Sequence, residues 1–382
     1  MPIYDISPTW QTEVKNKARG GIPTCDNSSI SGDLVAWNQF KTLFEKSANN
    51  GSSFSQGIVS TYSLVYTNLS GTYNGGVLAP NGDIHFIPDQ ANRGQKVSSS
   101  GVVSTYSLVY TNSSGAYGGG VLAPNGDIHF VPYSANRGQK VSSSGVVSTY
   151  SLVYTSAAAF YGGVLAPNGD IHFVPWNGII GQKVSSAGVV STYSLVYTSP
   201  AQAYLGGVLA PNGDVHFVPL SAIVGQKVSS SGIVSTYSLV YKNTSGAYGG
   251  GVLALNGDIH FIPFGSVIGQ KISISGLVST YSLVYAPFAG VYGGGVLAPN
   301  GDIHFVPYYG SVGQKVSISG VVSTYSLVYS DVIGGAYFGG VLAPNGDIHF
   351  VSRFAPVGQK ISTLPAKPLN IGVCCSPFLN KY

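Results

Sequence analysis

The chain has 382 residues, 18 Lys and Arg against 14 Asp and Glu, and a net charge of +4. No run approaches the roughly 18 apolar residues of a membrane span, and so weak and dispersed a charge implies neither nucleic acid nor an anionic membrane as partner. Ionisable groups are also spread rather than gathered. Glu occurs only as Glu13 and Glu45, seven of the twelve Asp occupy one repeated position, and all seven His follow two residues after those Asp. Acid–base catalysis needs unlike groups converging in one place, so the composition predicts no enzyme, no catalytic residue and no cofactor.

The first residues, MPIYDISPTWQTEVKNKARGG, lack the basic-then-apolar layout of a secretory signal, and no signal peptide is expected. Residues 1–56 read as an N-terminal extension for attachment or capping. Within it DLVAWNQFKTLFEK predicts a short helix over 33–46, capped by Ser31 or Asp33, with Leu34, Trp37, Lys41 and Phe44 on one face. The three cysteines, Cys25, Cys374 and Cys375, all lie outside the repeats, and an odd number is no disulfide framework. Sequons at Asn27, Asn50, Asn68, Asn112 and Asn243 read as chance in a chain rich in Ser and Asn.

From residue 57 to 362 one unit occurs seven times. VSTYSLVY begins at Val59, Val103, Val147, Val190, Val234, Val278 and Val322, in steps of 43 or 44 residues. Each unit reads as four short strands: GGVLAP, DIHFVP, GQKVS and the β-branched, aromatic VSTYSLVY. Asn-Gly between the first two predicts a two-residue type I′ hairpin. Fixed Asn-Gly and Pro exclude a helical repeat. Seven four-stranded units of this length predict an all-β, seven-bladed propeller with four antiparallel strands per blade, a rod-like β-solenoid being the alternative.

Small residues suit the innermost strand, which makes GGVLA strand A, DIHFVP B, GQKVS C and VSTYSLVY D. The first D segment, 59–66, then has no A, B and C before it, and the last A–B–C set has no D after it. The N-terminal strand is therefore expected to close the last blade, which removes an open edge. A tail follows over 363–382.

Variation among the seven copies is confined to one face. The A–B and C–D turns are nearly constant. The B–C loops read DQANR, YSANR, WNGII, LSAIV, FGSVI, YYGSV and RFAPV, and the D–A loops vary as well. Aromatics and Arg dominate recognition energetics, and drift on a soluble surface does not favour bulky rings. Arg93, Tyr133, Arg137, Trp176, Phe264, Tyr308, Tyr309, Arg353 and Phe354 are therefore the expected binding residues.

The repeated pairs Asp83/His85, Asp127/His129, Asp170/His172, Asp214/His216, Asp258/His260, Asp302/His304 and Asp347/His349 sit on seven different blades. They cannot converge on one metal ion, and read as structural groups that exchange hydrogen bonds with neighbouring strands. Seven Lys, beginning with Lys96, balance the seven Asp, in an expected inter-blade pairing or a solvated ring.

The unit YGGGVLAPNGDIHFVP resembles Pro-Asn-Gly repeats of virion-associated proteins from bacteriophages and large viruses, and of bacterial repeat proteins. The ending SPFLNKY is similar to the short C-termini of such phage proteins. The resemblance covers about 57–362 and carries no catalytic residues. It implies a tail- or capsid-associated virion component assembled in the host cytoplasm, a homo-oligomer within a particle, with other virion proteins or a host-surface receptor or glycan as partners. A soluble lectin-like, carbohydrate-binding propeller is the second reading.

Overall fold

A computed structural model describes residues 57–67, 71–199 and 201–363. The predicted helix over 33–46 and the three cysteines lie outside the described residues. Among those described there is no helix, and none long and apolar enough to cross a membrane.

Val59–Ser63 is β1. Strands β2 (Tyr73–Leu78), β3 (Ile84–Pro88), β4 (Arg93–Val97) and β5 (Val103–Ser107) hydrogen-bond in that order and form blade 1, with β2 as strand A and β5 as strand D. Strands β6–β25 (Tyr117–Ser326) build blades 2 to 6 on the same plan. Strands β26 (Tyr337–Leu342), β27 (Asp347–Ser352) and β28 (Val357–Ser362) complete blade 7 by taking β1 as its D strand, Val59 opposite Ile361 and Tyr62 opposite Gly358. The protein is thus an all-β, seven-bladed propeller closed by its N-terminal strand.

Two glycines in each A strand set the distance between blades. At the first, the strands nearly touch: a Cβ on Gly250 would stand 3.3 Å from the Cα of Gly294, and one on Gly339 would stand 2.8 Å from that of Gly75. The second receives side chains of the preceding blade. A Cβ on Gly120 would meet Ile87 Cδ1 at 2.4 Å and Val77 Cγ2 at 2.9 Å. Between successive blades lie fully buried rings such as Tyr117 and Phe130, packed on Val77 and Ile87.

Two details of the sequence reading change. The A–B connection is not a type I′ turn, which needs φ > 0 at both central residues. Asn81 is not left-handed; only Gly82 is, at φ +85°. Gly82 N–H donates to Ala79 O (2.9 Å) and Ala79 N–H to Asp83 O (2.8 Å), which gives a type I turn with Pro80 at its second position and a glycine bulge. The D strand is also shorter than the eight residues of VSTYSLVY. It stops at the second Ser because the next N–H groups are taken by another blade: Val65 and Tyr66 donate to Gln95 Oε1 at 3.1 and 2.7 Å.

That glutamine clamp recurs at all seven interfaces, always on a fully buried Gln. Replacing Gln226 by Leu leaves the N–H groups of Val196 and Tyr197 without their acceptor. The expected loss is about 1–3 kcal/mol, read as a lower urea midpoint with the propeller's circular dichroism spectrum unchanged below the transition.

Candidate functional site

The repeated polar residues are tied up within their own blades. Lys96 Nζ donates to Asp83 Oδ2 at 2.6 Å, and the six equivalent pairs are 2.5–2.7 Å long. The pairing is therefore between strands B and C of one blade, and not between blades or in a free solvated ring. Burial pushes the Asp83 carboxyl up, but the hydrogen bond and charge of Lys96, with the Ser99 N–H, outweigh it and hold the group below its usual range. His85 Nδ1 meets the Tyr106 hydroxyl of strand D at 3.2 Å. That tyrosine lies flat on Gly94, where a Cβ would stand 2.1 Å from its ring. The same His–Tyr contact occurs in the other six blades, through Tyr62 in blade 7.

Burial lowers the pKa of each of these seven His to about 4, with the nearby Lys adding to the shift and the Asp opposing it. A histidine held neutral in the fold and ionising near 6.5 when unfolded contributes stability that is complete above 6.5 and is lost as pH falls towards 4. Seven do so together. Thermal unfolding midpoints are therefore expected to be flat above pH 7 and to fall steeply between pH 6.5 and 4. A single His216→Gln variant should lose less over that interval than the parent.

At the B–C and D–A end of the axis the blades differ. The residue after the closing Pro of strand B (or Ser352 in blade 7) is Asp89, Tyr133, Trp176, Leu220, Phe264, Tyr308 and Arg353 in blades 1 to 7. The backbone is the same in each: its carbonyl accepts an N–H from the next blade, as Ala116 to Asp89 (2.7 Å), Ala203 to Trp176 (2.7 Å) and Thr72 to Arg353 (2.8 Å). A ring of seven such bonds fixes the main chain and leaves the side chains free to differ. A second variable set is the second residue of strand A, which is Asn74, Tyr161, Leu205 and Phe338 in blades 1, 3, 4 and 7 and glycine in the other three.

These side chains meet at the axis. The Tyr161 and Phe338 rings, from blades 3 and 7, are 5.8 Å apart across it, and Leu205, Leu220 and Tyr308 complete a buried cluster. Tyr133, Trp176, Phe264, Tyr309 and Phe354 pack on this cluster and stay half-buried. Trp176 lies 5.0 Å from Tyr161, and Phe264 stacks on Tyr308 at 6.1 Å. Tyr308 is only 8% exposed, so the rings form one packed cluster, named the axial cup for its place at the end of the axis, rather than a loose exposed patch.

One side of the cup is charged. Arg353 reaches Asp89 Oδ2 at 3.5 Å and the Tyr161 hydroxyl at 3.4 Å, and lies against the Phe338, Phe354 and Tyr308 rings at 5.3–5.8 Å. Burial pushes Asp89 up to about 6, against the pull of Arg353 and a hydrogen bond from Asn74. Asn74 Oδ1 and Arg353 Nε are buried without a hydrogen-bond partner among the described residues.

Seven of the nine expected binding residues therefore converge. Arg93 and Arg137 do not: they stand on the rim at the start of strand C, over the Tyr66 and Tyr110 rings at 5.4 and 5.5 Å. Asn74, Tyr161, Leu205 and Phe338 join the seven without having been among the expected residues. Their signal was a variable second position in an otherwise constant inner strand.

The chain matches no family model, and no curated protein matches it in sequence. In structure it is similar to a streptogramin B lyase, with a TM-score of 0.69 and 20% identity over 81% of this chain and 99% of that one. The virginiamycin B lyase of Staphylococcus aureus gives 0.69 and 17%, over 80% and 99%. An auxiliary nutrient binding protein of Bacteroides ovatus gives 0.52 and 11%, over 80% and 76%. At these identities the likeness is one of fold. It nevertheless overturns the expectation that this is no enzyme, since the same fold carries lyases. Composition misled because the loops of different blades supply the convergence that an even distribution of charges conceals.

Proposed function

We propose that the propeller binds one ligand per chain at the axial cup, through a flat ring face laid on Trp176, Phe264 and Tyr309 and polar groups directed to Arg353 and the Asp89 edge. The observation that carries this is the asymmetry. Framework residues repeat in every blade, whereas the side chains gathered on the axis are a single mixed set. Aromatic platforms beside the partly exposed Arg353, with Asp89 and Asn74 buried behind it, suit a sugar, which offers an apolar ring face and hydroxyl groups together. The repeat's resemblance to virion-associated proteins supplies a setting, an appendage meeting host-surface glycans. The similar structures reported above are lyases and a nutrient-binding protein, so the ligand reading rests on the cup and not on that setting.

Calorimetric titration with a panel of neutral and sialylated oligosaccharides tests it. The expected stoichiometry is one per chain, with quenching of Trp176 emission and at least about tenfold weaker binding for Trp176→Ala, the range of an anchor residue. Seven equal sites, or undiminished binding by Trp176→Ala and Arg353→Ala, would overturn it.

A second reading is favoured by Asp89, a buried carboxyl near 6 beside Arg353 in the axial cluster. Such a group can give or take a proton near neutral pH, and the staphylococcal lyase has been solved as a catalytically inactive variant with quinupristin. On this reading Asp89→Asn keeps ligand binding and abolishes turnover, and the parent's rate follows a group titrating near 6. A ligand that binds and is recovered unchanged from the parent protein removes this reading.

A further inference from the structure

The outer strands carry a pattern that neither the cup nor the packing of the blades uses. Each D strand has a neighbour on one side only, so seven strand edges lie open among the described residues. Proteins commonly guard such edges with Lys, Pro or a bulge. VSTYSLVY has no charged residue, no Pro and no Gly in any of its seven copies, and its pairing with strand C runs without a register shift.

Two rows of exposed aliphatic side chains flank these edges. The Val after Leu in each copy, Val65 and Val109 onwards, is 60–63% exposed; the residue before each strand, Val102 or an Ile, Leu or Val in its place, is 61–68% exposed. Drift does not account for this. In the same repeats the loops have diverged, and even buried positions exchange Ile and Val, as Ile87 against Val131. Exposed positions have nonetheless kept Thr, Ser and Val, and the row before the strand has stayed aliphatic in all seven. An open row of N–H and C=O groups is hydrated by water until another strand replaces it, and a lipid surface or a small molecule does not match its repeat.

We propose that the D-strand edges pair with the D-strand edges of other copies of this chain. An edge strand found identically seven times always meets its own sequence on a neighbour. Pairing about a two-fold axis is antiparallel and self-complementary, the central Thr opposite Thr and Ser opposite Tyr, with no like charges to oppose it. The flanking aliphatic rows would be covered at the same contact. Seven equal edges give each propeller several possible neighbours, and a seven-fold ring cannot tile a plane, so the product is an open, irregular assembly and not a closed dimer. The axial cup is left free, and the proposal does not depend on its ligand.

Sedimentation velocity of the full chain across a concentration series tests this, together with amide exchange on the assembled material. The expected result is association beyond the dimer with protection concentrated in the VSTYS segments. Changing the exposed Ser that ends every outer strand (Ser63, Ser107 and their five equivalents) to Lys should abolish association while leaving the circular dichroism spectrum and melting intact. A parent chain that stays at 39.6 kDa throughout, association without protection of VSTYS, or a lysine variant that associates like the parent would each overturn the proposal. Pairing only with a foreign extended peptide, the chain itself remaining monomeric, would also overturn it.

Discussion

Seven inner strands have to approach one axis, and at their third residue, glycine in every blade, most strands leave little room beyond the backbone. A Cβ on Gly250 would stand 3.3 Å from the Cα of Gly294, and one on Gly294 would stand 3.2 Å from that of Gly339. This restriction fixes much else. Blades that come so close must accept side chains from the preceding blade at the next glycine, so the Val and Ile knobs of strands A and B are set by it. The buried glutamine on strand C then holds the outer part of the interface. A pair of backbone N–H groups in the chain leaving the preceding blade finds its acceptor there, and the D strand ends early as a result.

Above that constriction the same geometry has the opposite effect. Seven carbonyls are held by N–H groups of the next blade, so any side chain can be carried at those positions without disturbing the main chain. The ring has become a frame for a mixed set of residues. The Arg353–Asp89 pair lies between blades 7 and 1, with aromatic and aliphatic groups on the other five. An ion pair at 3.5 Å with two nearby polar atoms unpartnered is an incompletely satisfied network. Such networks are expensive in a core, and are retained where a ligand or a proton completes them.

Much of the architecture was legible from sequence because the repeat offers seven readings of each position. The glycines pointed to the inner strand, and the phase of the repeat pointed to closure by Val59–Ser63. Local turn chemistry was less legible: Asn-Gly suggests a type I′ turn, but Pro80 ahead of it fits a type I turn and leaves only Gly82 left-handed. The site was legible in part. Trp176, Phe264 and Tyr308 stood out as bulky residues in variable loops, and so did Arg93 and Arg137, which face outward. Tyr161 and Phe338 sit where the variable D–A loop runs into the constant GGVL, and their meeting across the axis depends on a distance between blades that no local segment encodes. The exclusion of catalysis failed for the same reason, since spacing along the chain says little about which loops face one another.

The closing strand has a consequence for how the molecule is made. The β1 strand waits for a partner, β28, that is synthesised some three hundred residues later, about 15–60 s at ordinary rates of translation. Through that delay its sequence is the one that later outer strands also carry. Nothing in VSTYS itself tells β28 which copy to accept; the N-terminal one is taken because it alone has no strand C of its own, the other six pairing within their blades. Ring closure is thus specified by connectivity and effective concentration, and two chains emerging side by side can exchange their first strands without breaking any pairing rule.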